Sequence, residues 1–188
     1  MERMRGHLMP VNAGYLMLSP LRKLKYNPVK MFKPFLIGND TILDVGCAMG
    51  YFSIPLARMA GEHGKVICSD VQGRMLEVLS KRALKRKLTS RIIISQSTQS
   101  DAGLSKYRDS VDLAVIIQTI HEVRHYKDFL YQIHAAVKKD GYIYLSESFK
   151  TTSEEEFSRY VDYLVQYDYE IVAIPVIRKT RTVVLQKL

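Results

Sequence analysis

The heptapeptide Asp44-Val45-Gly46-Cys47-Ala48-Met49-Gly50 places a carboxylate at the entrance of a turn with two glycines, and a second carboxylate, Asp70, follows twenty residues after Gly50. Glycine permits backbone conformations and close approaches that a Cβ forbids, so such a turn can lie directly against a ligand. A dinucleotide fingerprint of the form G-x-G-x-x-G requires glycine where this chain has Ala48 and Tyr51. Asp44 would also repel a pyrophosphate, and it favours a ligand bearing positive charge, such as an ammonium or a sulfonium. Asp70 suits a pair of ribose hydroxyls, which donate to a carboxylate.

A second constellation, His121-Glu122-Val123-Arg124-His125, matches H-E-x-x-H. On a helix this spacing sets two histidines on one face for zinc, with the glutamate as general base. A third ligand must then come from downstream, where His134 and Glu147 are the candidates; the H-x-x-G-x-x-H extension is missing and Tyr131 stands at its ligand position. The preceding Val115-Ile116-Ile117 fits a strand better than a helix, which argues against the zinc reading.

The elements that position these groups follow from periodicity. Thr41–Val45 reads as a short apolar strand, and Phe52, Leu56 and Met59 then recur at helical spacing with Pro55 in the first turn. Residues 65–71 form a second strand and 74–87 an amphipathic helix with Leu76, Leu79 and Ala83 inward. Residues 92–95 are a third strand. Val111–Ile117, apolar almost throughout, is a fourth, suited to a sheet covered on both faces. A helix carrying Tyr126, Phe129, Leu130, Ile133 and Val137 is expected to end at Gly141, before a fifth strand over 142–145. Ser153 and Glu156 form an S-x-x-E capping box ahead of Phe157, Tyr160 and Leu164, and β-rich runs over 170–176 and 182–186 follow. Before all of these, Pro10, Pro20, Pro28 and Pro34 restrict the leader to short helices and turns. The alternation implies an α/β fold with a mainly parallel sheet, helices on both faces, and a ligand site beyond the carboxyl ends of the strands.

Through LDVGCAMGYFS and the CSD that ends strand two, residues 41–188 resemble the class I S-adenosylmethionine-dependent methyltransferases. LYQIHAAVKKDGYIYLSES is similar to that family's helix, lysine-rich turn and fifth strand. The resemblance implies a Rossmann-like sheet of seven strands with an antiparallel last strand, in one domain over 1–188, with 1–38 as a lid or acceptor segment and 39–188 as the cofactor-binding core. It implies S-adenosylmethionine as cofactor, with Asp44, Gly46, Cys47, Ala48, Met49 and Gly50 along the methionine part, Asp70 on the ribose and Val71 against adenine. The aspartate often found at the adenine edge is absent, so Gln96, Ser97 or Thr98 must substitute, and Ser97 is the choice. Gln118 matches a position that contacts the methionine moiety and opens onto the acceptor.

In this register the HEV segment starts the turn after strand four. Methyl transfer is an in-line displacement on an activated sulfonium, so positioning and water exclusion supply most of the acceleration. A base is needed only when the acceptor must lose a proton; His121 is the candidate, with Glu122 facing the acceptor or bracing the loop, and a structural role for each as the alternative. His125 is expected at the surface. From the leader, Tyr15 is the chosen pocket residue among His7, Met9, Tyr15 and Met17, all of which serve equally as simple packing.

The 188 residues are 47% hydrophobic and 25% charged, a globular usage that excludes a disordered, collagen-like or coiled-coil chain. The net charge of +9 is concentrated in two blocks, residues 1–33 and 74–91, each with seven basic side chains against one acid, and the remainder is net acidic. The second block reads as a solvated helix face. The leader's block lies near the expected acceptor entrance and raises RNA or protein as alternative acceptors to a small molecule, although no D-P-P-Y-type segment follows strand four. A zinc hydrolase and a non-catalytic cofactor-binding module are further alternatives. Cys47 and Cys68 are the only cysteines, too few for a disulfide framework or a four-cysteine zinc site. The apolar stretch after MERMR is broken by Pro10, Asn12, Gly14 and Pro20, so neither a signal peptide nor a membrane span is expected, and the chain is expected to be soluble and cytoplasmic with no membrane partner.

Overall fold

The computed structural model describes residues 10–98 and 100–188. Its strands are β1 (Thr41–Val45), β2 (Lys65–Asp70), β3 (Ile92–Gln96), β4 (Val111–Ile117), β5 (Val137–Ser148), β6 (Tyr169–Ala173) and β7 (Thr180–Lys187). They form one sheet in the order β3-β2-β1-β4-β5-β7-β6. The first five run parallel, while β7 is antiparallel to both β5 and β6. This is the Rossmann-like arrangement with an antiparallel last strand.

Alternate strand residues face opposite layers. Ile42, Val66 and Leu113 pack towards α3 (Ser53–Met59) and α4 (Gly73–Lys85), whereas Leu43, Ile67, Ala114 and Ile116 pack towards α5 (Tyr126–Ala136) and α6 (Glu154–Val165). Both faces are therefore covered, which is why β4 reads as a continuous apolar run. The capping box of α6 forms as expected: Ser153 Oγ accepts the Glu156 N–H, and the Glu156 carboxylate accepts the Ser153 N–H.

Most boundaries shift by one to three residues, and two differences have a clear physical cause. The fifth helix stops at Ala136, and Val137 already pairs with Val111 of β4, so Gly141 lies inside β5 and does not end a helix. Its lack of a Cβ matters there for another reason: a Cβ would sit 2.9 Å from the carbonyl oxygens of Lys138 and Val111, where the pairing shifts register. The run expected over 170–176 is strand only to Ala173, because Pro175 has no N–H to continue a ladder.

The leader forms α1 (Val11–Leu16), a 3₁₀ turn (Pro20–Leu24), α2 (Pro28–Phe32) and a second 3₁₀ turn (Lys33–Phe35). Prolines stand at the starts of the last three, where their missing N–H is tolerated. Phe32 is fully buried and packs edge-on against Phe52 and Tyr144 at 5.7 and 5.1 Å, which fastens the leader to the sheet layer. His7 and Met9 lie outside the described residues.

Candidate active site

The strand order reverses between β1 and β4, and a reversal of this kind opens a crevice at the carboxyl ends. There β1 passes directly into the glycine turn. Gly46, Ala48 and Gly50 have φ of +67°, +47° and +76°. A Cβ on Gly46 would fall 2.4 Å from Thr119 Oγ1, so glycine is required by the packing of the segment after β4. Ala48 enters the left-handed region without glycine's freedom, at roughly 1–2 kcal/mol. Its N–H donates to Asp70 Oδ2 at 2.8 Å, and Asp70 Oδ1 accepts the Gln72 N–H at 2.8 Å. Arg82 of α4 donates to the Met49 carbonyl from the other side of the turn. One member of the basic block thus braces the turn, while Arg74, Lys81, Lys85, Arg86 and Lys87 are exposed.

Two cavities meet at Val45 and Gly46. The first, of about 530 Å³, has Asp70, Val71, Ser97, Thr98, Thr119, Glu122, Val123, Arg124 and Phe129 in its wall. The second, of about 360 Å³, lies between the turn and the leader, with Gly14, Met17, Arg22, Asp44, Cys47, Ala48 and Met49 around it. Together they form one cleft, with Asp44 in one arm and Asp70 and Glu122 in the other.

Asp44 is buried and accepts a hydrogen bond from Ser53 Oγ at 2.5 Å. Burial pushes its pKa up to about 7, reinforced by the Asp70 charge and opposed by the Ser53 hydrogen bond and Arg22. A proton held there near neutrality is one that an incoming cation would displace. Burial likewise raises Asp70, against the N–H groups of Gln72, Ala48 and Val71. Arg22 sits over the rings of Tyr51, Phe52 and Tyr26 at 4.4, 5.2 and 5.3 Å and donates to the Met17 carbonyl at 3.3 Å. Burial lowers its pKa, with Tyr26, Tyr51 and Asp44 opposing the shift.

The helix that the zinc motif requires does not form. Ile120–Glu122 is a 3₁₀ turn, Val123 is extended, and His125 stands ahead of α5, so the two histidines share no helix face. Among the described residues no three His, Cys, Asp or Glu side chains group as metal ligands. Glu147, fully buried on β5, instead holds this turn: Oε1 accepts the N–H groups of Thr119 and Ile120, both at 2.9 Å, and Oε2 lies 2.7 Å from His121 Nδ1. Burial alone would lower the His121 pKa; the Glu147 hydrogen bond and charge outweigh it and raise the pKa, with Glu122 assisting. Burial raises Glu122, the His121 charge opposing.

Of the expected site residues, Gly46 borders both cavities; Asp44, Cys47, Ala48 and Met49 border the second; and Asp70, Val71, Ser97 and Glu122 border the first. Gln96 is exposed at the end of β3, leaving Ser97 and Thr98 at the wall. Gly50 shapes the turn without lining either cavity, and Gln118 donates from Nε2 to the Tyr26 hydroxyl, with φ of +54°. His121 lines neither cavity. Tyr15 is 57% exposed, and its neighbours Gly14 and Met17 occupy the wall instead. Arg22, Thr119, Phe129 and Glu147 were not picked out as site residues from sequence. Arg22 counted there only as leader charge and Glu147 only as a zinc candidate, because each acts through partners distant along the chain.

Residues 37–173 match a family described as a methyltransferase domain. The chain is 30% identical over 126 residues to a demethylmenaquinone methyltransferase of Lactobacillus johnsonii, covering 66% of this chain and 50% of that protein. It is 31% identical over 77 residues to a probable cobalt-precorrin-6B C(15)-methyltransferase (decarboxylating) of Pyrobaculum aerophilum, covering 41% and 39%. The matched region thus spans half or less of these relatives. In fold it is similar to the crystal structure of a SAM-dependent methyltransferase from Aquifex aeolicus, with a TM-score of 0.83 at 22% identity, over 96% of this chain and 100% of that one.

Proposed function

The chain belongs to the methyltransferase-domain family, with its class I S-adenosylmethionine-dependent fold, and from that membership we propose that it transfers a methyl group from S-adenosylmethionine to a small-molecule acceptor. The observation that carries this reading is the cleft across the end of β1, with Asp44 and Arg22 in one arm and Asp70, Val71 and Phe129 in the other.

The groups fit the cofactor along its length. Asp44 answers an ammonium, Arg22 a carboxylate, Asp70 two ribose hydroxyls, and Val71 and Phe129 the flat face of a base. When bound, S-adenosylmethionine supplies a methyl group activated by a sulfonium. The remaining demand on the protein is orientation and exclusion of water. Residues 1–38 are assigned the covering role and 39–188 the core; the packing of buried Gly14 beside Met49 and Met75, and the turn of Arg22 into the cleft, support this division. For an acceptor that must lose a proton, His121 is the proposed base. Glu147 already accepts the Thr119 and Ile120 N–H groups through Oε1 and sets Oε2 against His121 Nδ1, so the proposed tautomer has Nδ1 donating and Nε2 left to exchange protons. Glu122, in the cavity wall, and Tyr15, beside the leader's wall residues, are the proposed groups nearest the acceptor.

A small acceptor is supported by the names of the two relatives, which specify demethylmenaquinone and a cobalt-precorrin. Calorimetry with S-adenosylmethionine should give heat that Asp44→Ala and Asp70→Ala each reduce strongly; absence of heat from the unmodified protein would overturn the reading. Incubation with methyl-labelled cofactor and cell extract should label a low-mass product. Label appearing in RNA or protein alone would transfer the acceptor assignment to a macromolecule.

A further inference from the structure

On the outer side of the leader, Lys23, Leu24, Lys25 and Lys30 face Val176 and Ile177 of the β6–β7 loop across a groove of about 1090 Å³. Phe35 and Tyr144 lie in its wall, and the Tyr144 hydroxyl has no hydrogen-bond partner among the described residues. Two large aliphatic side chains on the rim stand almost wholly in water, Leu24 at 88% and Val176 at 99% exposure. Among the described residues no acidic side chain lines this groove, and Arg178 and Lys179 continue the positive charge along the loop.

We propose that this face docks on a membrane surface that carries anionic lipid headgroups. Such a surface answers both features at once: phosphate oxygens meet the lysines, and the acyl boundary takes up Leu24 and Val176. RNA would satisfy the lysines and leave the aliphatic tips in water, and among the described residues the groove offers no open ring to stack on, since Tyr144 is fully buried and Phe35 is partly covered. No helix among the described residues is long and apolar enough to cross a membrane, so the attachment is to the surface. The same 3₁₀ turn that carries Lys23 and Leu24 outward turns Arg22 into the cleft, which sets the docked surface beside the cleft's leader wall. This inference does not rest on the transfer reaction.

The full chain is mixed with phosphatidylcholine vesicles, or with vesicles containing about one third phosphatidylglycerol, and sedimented. It should pellet only with the acidic vesicles, and less as salt approaches about 1 M, where the Debye length shrinks to about 3 Å. Substituting Lys23→Gln, Lys25→Gln and Lys30→Gln together should weaken retention about a hundredfold. Changing Leu24→Ser with Val176→Ser should weaken it about tenfold on the same vesicles. All five side chains are exposed or at the rim, so unchanged melting temperatures would certify both variants as folded. Equal retention on the two vesicle types, retention on neither, or indifference to both variants overturns the proposal. An RNA mobility shift that the lysine variant abolishes, without vesicle binding, reassigns the face to nucleic acid.

Discussion

The Asp70 carboxylate receives the Ala48 N–H at 2.8 Å across 22 residues of chain, so the acid that ends β2 also holds the strained centre of the turn after β1. Two roles then separate by substitution. Asp70→Ala should destabilise the protein by roughly 1–3 kcal/mol, as expected when a buried donor loses its acceptor, and should also abolish measurable cofactor binding. Asp70→Asn keeps one oxygen for Ala48 but turns its amide NH2 towards the Gln72 N–H, so it should recover part of the stability without the affinity. Denaturant unfolding and calorimetry on the pair check this; equal losses of stability in both variants would sink the bracing role.

Asp44 should make cofactor affinity depend on pH. Its pKa of about 7 means that below neutrality an incoming ammonium must displace a proton, so affinity should fall by up to about tenfold per pH unit below about 7 and level off above it. The stability effect has the opposite sense. A carboxyl whose folded pKa lies above its unfolded value of 3.8 favours the folded state fully below pH 3.8, and loses that contribution as pH rises through about 7. Asp44→Asn should therefore melt higher than the unmodified protein at pH 8 in the absence of ligand, while binding S-adenosylmethionine poorly at every pH. Melting curves and titrations at several pH values would expose a failure of either half.

Arg22 should discriminate between parts of the cofactor. Arg22→Ala removes the guanidinium stacked 4.4 Å from the Tyr51 ring centre and should cost about tenfold or more in affinity for S-adenosylmethionine. Binding of methylthioadenosine, which has no amino-acid tail, should be unaffected. Arg22→Lys should recover little, because lysine lacks the planar fork. Parallel losses for both ligands would show that Arg22 acts only by packing the leader.

Glu147→Gln should lower the His121 pKa, since the Glu147 hydrogen bond and charge hold it up against burial. His121 stabilises the fold fully below its unfolded value of about 6.5 and ceases to do so as pH rises through the elevated folded value. That decline in melting temperature should disappear in the variant. If His121 is the base, the acid limb of the pH–rate profile should move to lower pH, whereas a merely structural Glu147 would change the rate at all pH values alike. Ring-proton titration by NMR gives the pKa directly.

The sequence by itself determined the elements whose signals are local. Apolar runs and helical spacing are properties of a few consecutive residues, and Asp44, Gly46 and Asp70 were legible because each sits at the end of such a run, where the chain order already orders the sheet. Tertiary structure decided what depends on partners far along the chain. Gly141 reads locally as a helix end, but pairing of Val137 with Val111 starts the strand four residues earlier. His121-Glu122-Val123-Arg124-His125 matches a helical zinc motif letter by letter, yet Glu147, 26 residues on from His121, captures its ring and holds a 3₁₀ turn. Arg22 gives no local sign of facing Asp44. In each case the deciding free energy is the desolvation of a buried charge or N–H, which is met only when the folded sheet brings its partner within hydrogen-bond reach.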